Sequence, residues 1–122
     1  MLIKPLILVI DEDAEIVSGL TRLLEAEGYH VLSAFNGDLI REILMKDRPS
    51  LAIVNLRVPR ELGLSIVKKI KGISPNLPVV GMTVFSESFN GHDVRDYGID
   101  AYFSKPFNID VFRQSVARLV KS

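Results

Sequence analysis

Five short apolar runs, each too short for a helix, alternate along this chain with stretches whose apolar residues recur at helical spacing, and that alternation leaves few folds open. The runs are Leu6 to Ile10, Val31 to Ala34, Leu51 to Asn55, Val79 to Thr83 and Ala101 to Ser104. Between them, Ile16, Leu20, Leu23 and Leu24 mark a first helix that Gly28 stops. Leu39, Ile40, Ile43 and Leu44 mark a second, closed by Arg48-Pro49. Leu62, Ile66 and Ile70 mark a third, with Lys68, Lys69 and Lys71 on its wet side and Gly72 and Pro75 at its end. Such a βαβ rhythm builds an α/β fold, a parallel sheet with helices on both faces in three layers.

The later part of the chain is less even. A fourth helix over Glu87 to Tyr97 is expected to be short or mobile, because it contains Asn90-Gly91-His92 and a poor apolar stripe; irregular backbone is expected from Ser86 to Asp93. The last helix begins after Asn108, a good N-cap, and puts Phe112, Val116, Leu119 and Val120 on one face.

The third apolar run decides where a site must lie. Leu51-Ala-Ile-Val reads as a strand buried on both faces, and it stops on the polar Asn55. Pro59 and Gly63 then turn the chain into a helical pattern. Asn55 is therefore expected at the carboxyl edge of a central parallel strand, where open α/β sheets bind their ligands.

Composition narrows the class. With 122 residues, 48% apolar and 25% charged, residues 1–122 are expected to form one domain around a single core. Fifteen basic and fifteen acidic residues cancel, so no overall basic field draws the chain to nucleic acid or an anionic membrane. The absence of cysteine excludes disulfides and thiolate metal sites and fits a cytoplasmic setting. Asp11-Glu12-Asp13 cuts the first apolar run too early for a signal peptide, and nothing approaches the ~20 apolar residues of a membrane helix.

Several features recur in one order: the acidic pair Asp11-Glu12 after Ile-Leu-Val-Ile, Pro59 and Gly63 after the third strand, Thr83 ending the fourth, and Tyr102-Phe-Ser-Lys105-Pro106-Phe107 at the fifth. On these residues, and over essentially its whole length, the chain resembles the receiver domain of two-component response regulators. The resemblance implies a doubly wound, flavodoxin-like sheet of five parallel strands in the order 2-1-3-4-5. In that family an aspartate after the third strand takes a phosphoryl group from a histidine kinase. The acidic pair holds Mg²⁺ with that aspartate and the backbone carbonyl two residues on. A threonine and a lysine contact the phosphoryl oxygens, and an aromatic residue of the fifth strand changes rotamer with the threonine.

Carried over, the resemblance gives Asp11, Glu12 and the Arg57 carbonyl to the metal, Thr83 and Lys105 to the phosphoryl group, and Thr83 with Tyr102 to the switch. Glu12 stands where a second aspartate is more usual, and the acceptor position is Asn55. An amide oxygen delocalises its electron density onto nitrogen and is a poor nucleophile beside a carboxylate. Mg²⁺ prefers hard anionic oxygens, so its binding is expected to be weak.

Read from the residues alone, Arg57 is a solvated rim side chain, Asp13 a cap for the first helix, His30 and His92 surface residues, and Tyr102 an edge-strand aromatic over the core. For Tyr102 the covering and switch readings stay open.

The expected function is a receiver-like signalling module, not an enzyme, that acts through protein contacts without aspartyl phosphorylation. The resemblance gives the fourth helix, fifth strand and fifth helix as the partner surface; a histidine kinase or another regulator suits it, and a homodimer is compatible with it. The alternative is a phosphorylatable, Mg²⁺-dependent receiver whose Asn55 is an engineered or deamidated aspartate. A phosphatase of the haloacid-dehalogenase type fits poorly, since Asp11-x-Asp13 is followed by Ala-Glu rather than Gly-Thr and no cap domain is present.

Overall fold

All five apolar runs form strands: β1 (Leu6–Ile10), β2 (His30–Ala34), β3 (Leu51–Asn55), β4 (Val79–Val84) and β5 (Ala101–Lys105). The structure, a computed structural model, describes residues 4–56, 60–84, 96–105 and 107–121, and of residues 60–62, 84 and 105 the backbone only. The strands pair in parallel in the order β2-β1-β3-β4-β5. This is the doubly wound arrangement expected from the sequence.

The helices are α1 (Ala14–Ala26), α2 (Ile40–Lys46), α3 (Arg60–Ile73) and the C-terminal α4 (Ile109–Val120). The expected helix over Glu87 to Tyr97 lies outside the described residues except for its last two, and so does the irregularity expected from Ser86 to Asp93.

Side chains alternate across a strand, and both faces of this sheet are covered. Leu8, Ile10, Ala52 and Val54 face α2 and α3, where they bury Ile40, Leu44, Leu64, Val67 and Ile70. Ile7, Val9, Leu51 and Ile53 face the other way, against Leu20 and Leu24 of α1 and Phe112, Val116 and Leu119 of α4. Phe112 also meets the rings of Phe103 and Phe107, with centroids 5.3 and 5.2 Å away.

Local chemistry fixes the helix ends. Asp13 is the N-cap of α1, its Oδ1 accepting from the backbone N–H groups of Glu15 and Ile16 at 2.9 and 3.4 Å. Asn108 caps α4 through Val111 N at 3.0 Å. After α1 the chain turns at Gly28, whose φ of 94° favours a residue without a Cβ.

Three expectations need correction. Leu39 is not part of the α2 stripe: it occupies the N-cap position and points outward, so Ile40, Ile43 and Leu44 make the contact. Gly72 does not end α3, which runs on to Ile73. Lys71 is not simply solvated. Its Nζ donates to the Leu77 carbonyl at 2.7 Å and pairs with Asp100 Oδ2 at 3.2 Å, and the same oxygen accepts from Val79 N at 2.8 Å. A lysine on the outer face of α3 thus ties the starts of β4 and β5 together, a partnership that helical periodicity does not encode.

Candidate functional site

Parallel register brings the polar strand ends into one row. Ile10 pairs with Val54, so Asp11 and Asn55 emerge side by side; Asn55 pairs with Met82, which puts Thr83 one step further on; and Val84 pairs with Lys105. The β1, β3, β4 and β5 termini are neighbours in the sheet, so Asp11, Asn55, Thr83 and the Lys105 backbone share its carboxyl edge. The Lys105 side chain, Arg57 and Pro59 lie outside the described residues.

Asp11 is only 6% exposed, and its carboxylate is held from two sides. The backbone N–H of Asp13 donates to Asp11 Oδ1 at 2.9 Å, and Asn55 Nδ2 donates to the same oxygen at 3.1 Å. Hydrogen bonds to an ionised acceptor are stronger than neutral ones, so the amide steadies a buried charge where a carboxylate would repel it.

Glu12 lies on the exposed side of the same turn and also takes part in an interaction. Thr83 is 3% exposed, and its Oγ1 is buried with no hydrogen-bond partner among the described residues. Tyr102 is partly buried against the core on the α2 and α3 face, in agreement with its reading as an aromatic cover. His30 is exposed, as expected, and His92 lies outside the described residues.

Sequence reasoning missed what holds the edge in shape. Leu56, fully buried, follows Asn55 and donates its backbone N–H to Met82 O at 2.7 Å. A Cβ on Gly63 would come within 2.7 Å of Leu56 Cα and 3.1 Å of the Asn55 carbonyl oxygen, so the glycine lets α3 rest directly on the end of β3. The motif signal at Gly63 was present in the sequence; its counterpart, Leu56, carried none.

Beside Asn55 opens a cleft of about 410 Å³ between the β1 end, the β2–α2 loop and α3. Asp11, Asn55, Phe35, Asp38, Ile66 and Lys69 are on its walls. The loop is ordered by its own bonds: Asn36 Oδ1 accepts from Asp38 N at 2.9 Å, and Lys69 Nζ donates to the Gly37 carbonyl at 2.9 Å. Phe35 stands 69% exposed at this cleft.

Comparison with known proteins gives this edge a family. The profile of the response regulator receiver domain matches residues 7–117. The chain belongs to the response regulator receiver family. This receiver domain is 32% identical over 112 residues to sporulation initiation phosphotransferase F of Bacillus subtilis, covering 92% of the chain and 90% of that relative. With the transcriptional regulatory protein DltR of Streptococcus agalactiae it shares 29% identity over 104 residues, 85% of the chain but 46% of that longer relative. The crystal structure of a response regulator from Thermotoga maritima superposes with a TM-score of 0.85 at 21% identity, covering 98% of this chain and all of that one, a likeness of fold.

The receiver is thus a signalling module of two-component systems, a class that interacts with histidine kinases and effector domains. No helix among the described residues is long and apolar enough to cross a membrane. Receiver domains typically bind Mg²⁺ for phosphorylation. Asn55 turns the N–H donor of its amide toward Asp11.

Proposed function

We propose that this receiver domain signals through protein contacts in a state that does not depend on aspartyl phosphorylation, with Asn55 at the acceptor position. The observation that carries the reading is the 3.1 Å hydrogen bond from Asn55 Nδ2 to Asp11 Oδ1. A nucleophile for phosphorus needs a lone pair of high electron density aimed at the incoming group. The amide has none to match a carboxylate, and its nitrogen is already committed to steadying Asp11.

The same bond gives the acidic turn a neutral partner in place of a cation, in keeping with weak Mg²⁺ binding by Asp11, Glu12 and the Arg57 carbonyl. Thr83, Lys105 and Tyr102 keep the roles the resemblance gives them, phosphoryl contact and switching, only if an acceptor is restored at position 55. In a cytoplasmic regulator the remaining output is a docking surface. Ile109 and Val111 on α4 are about half exposed, which favours a partner face that includes this helix and β5.

Deamidation is a poor route to an acceptor here. It begins with attack of the following backbone nitrogen on the side-chain carbonyl carbon, and that nitrogen, of Leu56, is hydrogen-bonded within the sheet at 2.7 Å and fully buried. Incubation with acetyl phosphate and Mg²⁺, followed by intact-mass measurement and peptide mapping, tests the proposal. No phosphoryl adduct is expected; an adduct on the peptide carrying Asn55 would overturn it.

A further inference from the structure

We infer that Asn36 is a modification site, whose side-chain amide is lost through a cyclic imide formed with the Gly37 nitrogen, leaving an aspartate or isoaspartate in the β2–α2 loop. Three observations converge there. Asn36 is exposed and is followed by Gly37, which has no Cβ to shield the attacking nitrogen. Its side chain folds back along the main chain, because Oδ1 accepts from Asp38 N at 2.9 Å and the ring closed by that bond contains both Cγ and the Gly37 nitrogen. The Gly37 N–H finds no acceptor among the described residues.

The step balances with water alone. Gly37 N gives its proton to hydroxide and attacks Asn36 Cγ; the Cγ–Nδ2 bond breaks, and ammonia leaves with a proton taken from water. Negative charge gathers on Oδ1 during the attack, and Asp38 N–H is already aimed at that oxygen, a placed donor of the kind that stabilises oxyanions. Water then opens the imide. Cleavage at Cγ gives aspartate, whereas cleavage at the main-chain carbonyl gives isoaspartate, with one more atom in the backbone.

The other described asparagines lack this combination. Leu56 N, after Asn55, is buried and donates to Met82 O; Leu77 N, after Asn76, donates to Ser74 O at 3.1 Å; and Asn108 is followed by the β-branched Ile109. A change at Asn36 reaches the cleft beside Asn55. Asn36 and Gly37 are on its wall, and the Gly37 carbonyl accepts from Ile40 N at 3.4 Å and from Lys69 Nζ at 2.9 Å. Aspartate keeps the acceptor for Asp38 N and adds a negative charge. The extra backbone atom of isoaspartate breaks the Asn36–Asp38 ring and shifts the Gly37 carbonyl, so the loop loosens from α3.

The protein, folded and in urea, is held in the same mildly alkaline buffer and mapped by tryptic digestion, in which residues 23–41 carry Asn36 as their only side-chain amide. In the folded protein Asn36 is expected to convert before Asn55, Asn76 and Asn108, and at least as fast as in urea. Slower conversion of Asn36 in the folded protein, or earlier conversion of any of those three, would overturn the proposal. Gly37→Ala tests the attacking nitrogen. Its Cβ would meet only the Ile66 and Ile40 side chains, at 3.5 and 3.6 Å, so the fold is expected to be kept while conversion slows about tenfold. An unchanged rate would exclude the imide route. NMR spectra of the isoaspartate form, separated by ion exchange, are expected to shift Gly37, Ile40 and Lys69 beyond their positions in Asn36→Asp; coincident spectra would refute the loosened loop.

Discussion

Asn55 and Asp11 are 44 residues apart in sequence and meet through one hydrogen bond, from an amide nitrogen to a carboxylate oxygen at 3.1 Å. Parallel pairing of β1 with β3 makes them neighbours, and the amide makes the contact attractive. Asn55→Asp reverses its sign. A hydrogen bond to a charged group and the added repulsion between carboxylates together predict a loss of about 2 kcal/mol without metal. Mg²⁺ should restore stability by binding the folded state alone, and acetyl phosphate should then label the variant weakly, because the extra methylene of Glu12 fits a rigid Mg²⁺ shell badly. Urea unfolding with and without MgCl₂ checks this; a variant as stable as the parent and indifferent to Mg²⁺ would contradict it.

Gly63→Ala sets two effects against each other. In a helix interior alanine is favoured over glycine by about 1 kcal/mol. Here the new Cβ would stand 2.7 Å from the Leu56 Cα, a backbone atom that cannot swing aside. Overpacking should win, for a net destabilisation of about 1–2 kcal/mol. Gly72→Ala on the same helix, where nothing stands within 4 Å, is the control and should be neutral or stabilising. Thermal unfolding of both variants measures the difference, and equal effects would refute the close approach.

Thr83 buries a hydroxyl that has no partner among the described residues. Thr83→Val keeps the branched shape and removes the polar atom, so a gain of up to about 1 kcal/mol is expected. Chemical denaturation that shows a loss instead would mean that the hydroxyl is satisfied in solution.

Burial, and secondarily the charge of Glu27, raises the pKa of the Tyr29 phenol. A raised folded-state pKa contributes stability that is complete below the unfolded value of about 10 and disappears as pH rises through the folded value. The protein should therefore lose stability above about pH 10, and Tyr29→Phe should lose less over the same interval. Parallel urea titrations of the two proteins at neutral and strongly alkaline pH give the comparison; identical losses would exclude Tyr29 as a source.

Much of the architecture was legible from local pattern. Strand runs, helical stripes, the caps Asp13 and Asn108 and the turn at Gly28 depend on neighbours within a few residues, and the structure has them. The position of Asn55 at the carboxyl edge followed from a buried run that ends on a polar residue, and its amide character is a property of the sequence itself. What periodicity could not supply is partnership at a distance. It put Leu39 in a stripe although the chain enters α2 there, and it left Lys71 to solvent although Asp100 reaches it across the β4 and β5 starts. That Asn55 offers nitrogen rather than oxygen to Asp11, that Leu56 closes under Gly63, and that Phe35 and Lys69 wall a cleft were decided by strand register and side-chain rotamers, which are set only when the sheet and helices pack together.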